Sequence, residues 1–128
     1  MTLDTSAIIA ILFAEPGYLD LVDRILAAGQ VRVGTPTLVE TGLVFAGRRR
    51  TQGLGELEAF LRELDVTIVP FGEREYRAAV DAFLRFGRGR HKAALSFGDC
   101  FAYAIADTTN DSLLFVGNGF AQTDITAA

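Results

Sequence analysis

One cysteine and one histidine, Cys100 and His91, set the first limits on this 128-residue chain. A lone cysteine can form no internal disulfide, which suits a reducing cytoplasm. One histidine and one cysteine cannot build a zinc site from the usual nitrogen and sulfur ligands. Nor can one histidine supply the two imidazoles of an acid–base pair. Any Ser–His–Asp or Cys–His constellation would need His91, which stands beside Gly87-Arg88-Gly89-Arg90 with no nucleophile motif nearby. It reads as a loop residue. There is no Gly-Lys-Ser/Thr phosphate loop, no repeat, no low-complexity tract and no linker. The apolar run Ala7–Ala14 is too short for a bilayer, has no basic flank and follows Asp4, so it reads as a buried helix and no membrane association is expected.

Excess positive charge is also missing. The net charge of −4 argues against a non-specific nucleic-acid binder. The basic residues are nevertheless clustered, in Arg48-Arg49-Arg50 and again in Arg85, Arg88, Arg90, His91 and Lys92. Each run reads as a solvated face or as a local rim for phosphates. The length fits one domain, residues 1–128, with a core of its own, and 50% apolar with 22% charged residues is an ordinary soluble composition.

The patterning alternates strand with helix. Thr2–Leu3 opens as a strand, followed by helices over Ser6–Phe13 and Tyr18–Ala28 with a break at Glu15-Pro16-Gly17. Val31–Val33 is a strand. Thr35-Pro36 supplies an N-cap and a first-turn proline for a helix to about Arg48. Leu54, Leu57, Phe60, Leu61 and Leu64 recur at helical spacing, and Val66–Val69 is β-branched. Helices are expected over Glu73–Phe86 and Gly98–Ala106, with a last apolar strand at Leu113–Val116. This order predicts an α/β fold with a central parallel sheet flanked by helices on both faces.

Three acids stand in apolar settings. Asp4 closes the first strand, Glu40 lies in Thr37-Leu38-Val39-Glu40-Thr41, and Asp99 lies in Phe97-Gly98-Asp99-Cys100. Ligands of open α/β sheets bind outside the carboxyl ends of strands, where Asp4 falls. Each acid also has a purely structural reading. Asp4 can cap the helix that follows it. Ser96-x-x-Asp99 fits a capping box. Glu40 projects onto the arc of Val39, Leu43, Val44 and Ala46, where a buried carboxylate would need a partner such as Arg24 or Arg48. Taken together they suggest an oxygen-ligand site for Mg²⁺ or Mn²⁺, suited to phosphoryl chemistry. A phosphatase with Asp4 as nucleophile is the rival enzyme. Its common signature needs an acid two residues on, where Ser6 stands.

The motifs Asp4-Thr5-Ser6, Thr35-Pro36-Thr37-Leu38-Val39-Glu40-Thr41 and Phe97-Gly98-Asp99-Cys100-Phe101-Ala102, with the ending Leu113-Leu114-Phe115-Val116-Gly117-Asn118-Gly119-Phe120-Ala121-Gln122-Thr123-Asp124-Ile125, resemble in order and separation the PIN-domain ribonucleases, and more narrowly VapC toxins of toxin–antitoxin pairs. The resemblance implies a single PIN-like nuclease domain and a cytoplasmic, metal-dependent endoribonuclease held silent by a VapB-type antitoxin; a homodimer is expected. It carries Asp4, Glu40 and Asp99 over as catalytic acids, with Asp4 and Asp99 as ligands of Mg²⁺ or Mn²⁺. Ser6 or Thr5 would orient Asp4 or touch the scissile phosphate. Arg85, Arg88, Arg90 and Lys92 become candidates for RNA contact. The family often has an acid just before the late phenylalanine, whereas this chain has Asn118-Gly119, with Asp124 further on as a possible supporting residue. That departure keeps a second reading open, a degenerate PIN domain that binds antitoxin or RNA without cutting.

Overall fold

A computed structural model describes residues 1–49 and 54–128; Arg50 of the first basic run lies outside them. The strands are β1 (Thr2–Leu3), β2 (Val31–Gly34), β3 (Val66–Val69) and β4 (Leu113–Leu114). The helices are α1 (Thr5–Leu12), α2 (Tyr18–Ala27), α3 (Thr35–Arg49), α4 (Leu54–Glu63), α5 (Glu73–Phe86) and α6 (Phe97–Thr108). A single 3₁₀ turn, Phe120–Gln122, follows β4. The helices agree with the sequence reading to within one or two residues at their ends. The last strand is shorter than its apolar run: Phe115 and Val116 leave the sheet, and Val116 is 50% exposed.

The four strands lie parallel in the order β3-β2-β1-β4. Thr2 is in register with Arg32 on one side and with Leu113 on the other. The chain therefore winds outward from β1 in both directions, leaving a topological switch point between β1 and β4.

Adjacent strand residues face opposite ways, and this divides the core. Leu114, Leu3, Val31 and Val33 join Ile8, Leu21, Ile25, Leu57 and Phe60 on the side of α1, α2 and α4. Leu113 joins Ala82, Leu95, Tyr103, Ala104 and Phe120 on the side of α5 and α6. The coverage thins at β3, one of the two edge strands, where Ile68 is 49% exposed. As its sequence implies, α6 is largely enclosed, with Ala102, Ala104, Ile105 and Ala106 inaccessible to solvent.

Helix α3 departs from expectation in its orientation. Its buried face carries Thr37, Thr41 and Phe45, while Val39 and Leu43 are 62% and 71% exposed. The expected apolar arc is thus an outer surface, and Glu40 stands at its edge, half-buried rather than in the core. The Thr41 hydroxyl is satisfied without water, donating to the Thr37 carbonyl at 2.8 Å, whereas the Thr37 hydroxyl is buried with no hydrogen-bond partner among the described residues.

Candidate active site

The site begins where β1 ends. Asp4 has extended backbone angles and forms the N-cap of α1. Its Oδ2 accepts from the Ser6 amide at 2.9 Å and from the Ser6 hydroxyl at 2.5 Å. The Ser6 hydroxyl oxygen in turn accepts from the Val116 amide at 3.0 Å, and the Asp4 amide donates to the Leu114 carbonyl at 3.0 Å. These bonds close the crevice between β1 and β4 and fix the carboxylate at the switch point. Asp4 is therefore a cap as its structural reading held, but one capped from within a buried cleft.

Thr5 plays no part in holding it. The Thr5 hydroxyl turns inward, donating toward the Thr37 carbonyl at 3.4 Å and accepting from the Thr41 hydroxyl at 3.3 Å. Of the two candidates for orienting Asp4, Ser6 makes the contacts.

Asp4 is only 3% exposed. Burial pushes its carboxyl up to about 6, the two Ser6 hydrogen bonds draw it back, and the negative charges of Asp99 and Glu40 raise it further. The last contribution places Asp99 and Glu40 each within electrostatic reach of Asp4. Crowded carboxylates in a poorly solvated cleft disfavour their own ionisation unless a cation joins them.

Asp99 arrives on the first turn of α6. Its amide donates to the Ser96 hydroxyl at 3.2 Å, and its Oδ2 accepts from the Ser96 amide at 2.7 Å, completing the capping box. One oxygen is thereby committed to the helix end. The other has no hydrogen-bond partner among the described residues, and the residue is half-buried.

Glu40 comes from α3, and its carboxylate lies against Gly98. A Cβ built at Gly98 would fall 1.7 Å from Glu40 Oε2 and 2.5 Å from its Cδ. The sequence reading overlooked Gly98; a glycine inside the first turn of a helix, where it weakens the helix, was the available signal. The arginines proposed as partners for Glu40 are engaged elsewhere. Arg24 pairs with Asp20 at 2.8 Å and Arg48 with Glu15 at 3.0 Å. Among the described residues, no ion pair reaches Asp4, Glu40 or Asp99.

The donor set is all oxygen, anionic and uncompensated by protein cations, which fits a hard divalent ion. Among the described residues, no group of three or more Asp, Glu, His or Cys side chains is disposed to hold a metal ion as it stands.

The remaining candidates fall into two groups. Arg88, Arg90 and Lys92 are exposed, with the Arg90 guanidinium 5.6 Å from the Phe83 ring centroid. Arg85 is held instead in a network on the flank of α5. It pairs with Asp81 at 3.1 Å and with Asp124, and it lies 3.4 Å from the Tyr103 hydroxyl. Tyr103 donates to Asp124 at 2.6 Å. These contacts hold the Asp124 carboxyl below the usual carboxylate range despite partial burial, and they raise the Tyr103 phenol, whose burial acts in the same direction. Asp124 is thus turned to Arg85 and Tyr103, and Asp124 does not figure among the charges acting on Asp4. Asn118 is exposed in the loop after β4. A Cβ at Gly119 would lie 3.3 Å from the Ala93 carbonyl oxygen, so a side chain there would start out toward the segment before α6. His91 serves its own loop, its Nδ1 accepting from the Ala93 amide at 3.1 Å.

Comparison with known proteins agrees with this geometry. The PIN domain family model matches residues 1–125. The chain is 39% identical over 128 residues to a Ribonuclease VapC of Mycolicibacterium smegmatis, covering 99% of this chain and 98% of that protein. It is 38% identical over 126 residues to Ribonuclease VapC36 of Mycobacterium tuberculosis, covering 98% and 91% respectively. Among solved structures, Mycobacterium tuberculosis VapC20, described as a sarcin-ricin loop cleaving toxin, superposes with a TM-score of 0.78 at 16% identity, over 99% of this chain and 97% of that one. VapBC2 from Rickettsia felis, bound to a promoter DNA fragment, gives 0.77 at 13% identity, over 99% and 96%. At such identities the two structures speak for the fold alone.

Proposed function

The chain belongs to the PIN domain family and to its VapC ribonucleases, and from that premise we propose that it is an endoribonuclease toxin whose Asp4, Glu40 and Asp99 form a divalent-metal site. The observation that carries this reading is Asp4 itself, a buried carboxylate at the switch point, fixed by Ser6, crowded by two other acids and in no ion pair among the described residues. Asp4 and the free oxygen of Asp99 supply ligands for Mg²⁺ or Mn²⁺. A bound divalent ion offers Lewis acidity at the scissile phosphate and acidifies water held beside it. On this reading Glu40 holds the attacking water or takes its proton, and Ser6 keeps Asp4 from rotating away. Treatment with EDTA should stop RNA cleavage, and restoring Mg²⁺ or Mn²⁺ should recover it. Cleavage that persists undiminished in EDTA would overturn the metal site. A protein that never cuts, with or without metal, is the degenerate PIN domain that the Gly119 departure keeps open.

RNA reaches the cleft, on this reading, along the exposed Arg88, Arg90 and Lys92 rather than Arg85, whose charge is spent on Asp81 and Asp124. Replacing Arg88 and Arg90 by glutamine should weaken RNA binding and lower the slope of log affinity against log salt by about 1.4, at ~0.7 for each single-strand phosphate contact. Metal-induced stabilisation should stay as it was. An unchanged salt slope would reduce this segment to a solvated loop.

Two protein partners complete the proposal. A VapB-type antitoxin silences the enzyme by setting a basic side chain against Asp4 and Asp99, in competition with the cation. A second copy of the chain packs on the apolar surface that runs from Leu54, Leu43 and Val39 to Phe71, Phe97 and Tyr76. Phe97, 80% exposed beside the site, is its most exposed member, and an apolar surface of this extent marks an interface. Among the described residues no helix is long and apolar enough to cross a membrane, and the proposed place of action is the cytoplasm.

A further inference from the structure

We propose that Gly98 is a positioning residue, whose missing side chain lets the Glu40 carboxylate lie against the first turn of α6 beside Asp99 and so sets the affinity of the site for its divalent cation. This deepens the proposed function and rests on its assignment of Glu40.

Glycine at this position has no backbone justification. Gly17, Gly89 and Gly117 have positive φ angles that favour glycine, and Gly98 is not among them. As the second residue of a 12-residue helix it is a poorer helix former than alanine. What requires it is space. The three atoms nearest to a Cβ at Gly98 all belong to the Glu40 carboxylate: Oε2 at 1.7 Å, Cδ at 2.5 Å and Oε1 at 2.8 Å. At Gly34 the corresponding obstruction is the Ile105 side chain at 2.6 Å, which is ordinary packing between β2 and α6. At Gly98 it is a charged group with no ion pair among the described residues. The helix end favours a negative charge there, and the contact brings α3 onto the turn that carries Asp99.

Because the obstruction is the far end of a flexible side chain, a methyl group should displace Glu40 and leave α6 intact. The test is a double-mutant cycle of Gly98→Ala and Glu40→Ala in the full chain, read by thermal melts without metal and by Mn²⁺ titration. Gly98→Ala alone should melt at the wild-type temperature or above it, yet bind Mn²⁺ about tenfold more weakly, the scale of a lost supporting contact. In the Glu40→Ala background the same change should have no further effect on Mn²⁺ affinity. Should Gly98→Ala lower the melting temperature, Glu40→Ala must restore it, since removing the carboxylate removes the collision. Additive effects, or a melting loss that Glu40→Ala does not restore, overturn the inference. So does wild-type Mn²⁺ affinity in Gly98→Ala while Glu40→Ala weakens binding. If Glu40→Ala itself leaves Mn²⁺ affinity unchanged, the assignment of Glu40 to the site fails first, and the inference falls with it.

Discussion

Asp4→Asn is expected to lower RNA cleavage at least about 100-fold, the scale on which one electrostatic contact at a reacting centre is felt. The metal-free protein should become more stable, not less. Asparagine keeps an oxygen for the Ser6 amide and hydroxyl but carries no charge into the cleft. The sign follows from the direction of the shift: the folded-state carboxyl is raised from 3.8 to about 6, so ionisation opposes folding. The penalty is absent below the unfolded value, develops between about 4 and 6, and is complete above that, reaching up to about 3 kcal/mol. Denaturation of both proteins in EDTA from pH 4 to pH 7 should show the advantage of Asp4→Asn growing across that window. Asp111 and Asp124, whose carboxyls are lowered, lose their contribution only as pH falls further, and do so equally in both proteins. Adding Mn²⁺ should stabilise the wild type and leave Asp4→Asn almost unmoved. Equal stability at pH 7 would mean that Asp4 is not the unfavourably buried charge its surroundings indicate.

Asp99 has two roles, and two substitutions separate them. Asp99→Asn retains an acceptor for the Ser96 amide, so α6 stays capped and the melting temperature should hardly change. Cleavage should fall about as far as in Asp4→Asn. Asp99→Ala loses the cap as well and should cost about 1 kcal/mol of stability in addition. Thermal melts and cleavage rates on the two variants decide the matter. Near-wild-type cleavage by Asp99→Asn would leave Asp99 as a helix cap and nothing more.

The alternation of strands and helices was legible because β1, β2 and β3 are short apolar runs set between amphipathic segments and turn residues. The three acids were singled out by their apolar sequence neighbours, and the fold sets Asp4 at a strand end, Asp99 at a helix start and Glu40 in the second turn of α3. The orientation of α3 was not. Helical spacing placed Val39 and Leu43 inward, whereas the buried positions are Thr37, Thr41 and Phe45. Hydrophobicity misled because the Thr41 hydroxyl is satisfied by the Thr37 carbonyl, the Thr37 hydroxyl is buried without a partner among the described residues, and the apolar arc of Val39 and Leu43 lies on the outer surface. The fate of Arg85 was equally hidden. Its partner Asp124 lies 39 residues away, and only the packing of α5 against the C-terminal segment brings them together. Gly98 could have been questioned from the sequence, but the carboxylate that needs its space comes from another helix.

The most direct measurement is an anomalous difference map from crystals of the full chain soaked in Mn²⁺. The expected result is a peak in the cleft at the carboxyl ends of β1 and β4, within ligand distance of Asp4 and of the Asp99 oxygen not committed to Ser96, with Glu40 facing it across Gly98. A peak elsewhere, or none at a Mn²⁺ concentration that supports RNA cleavage, would contradict it.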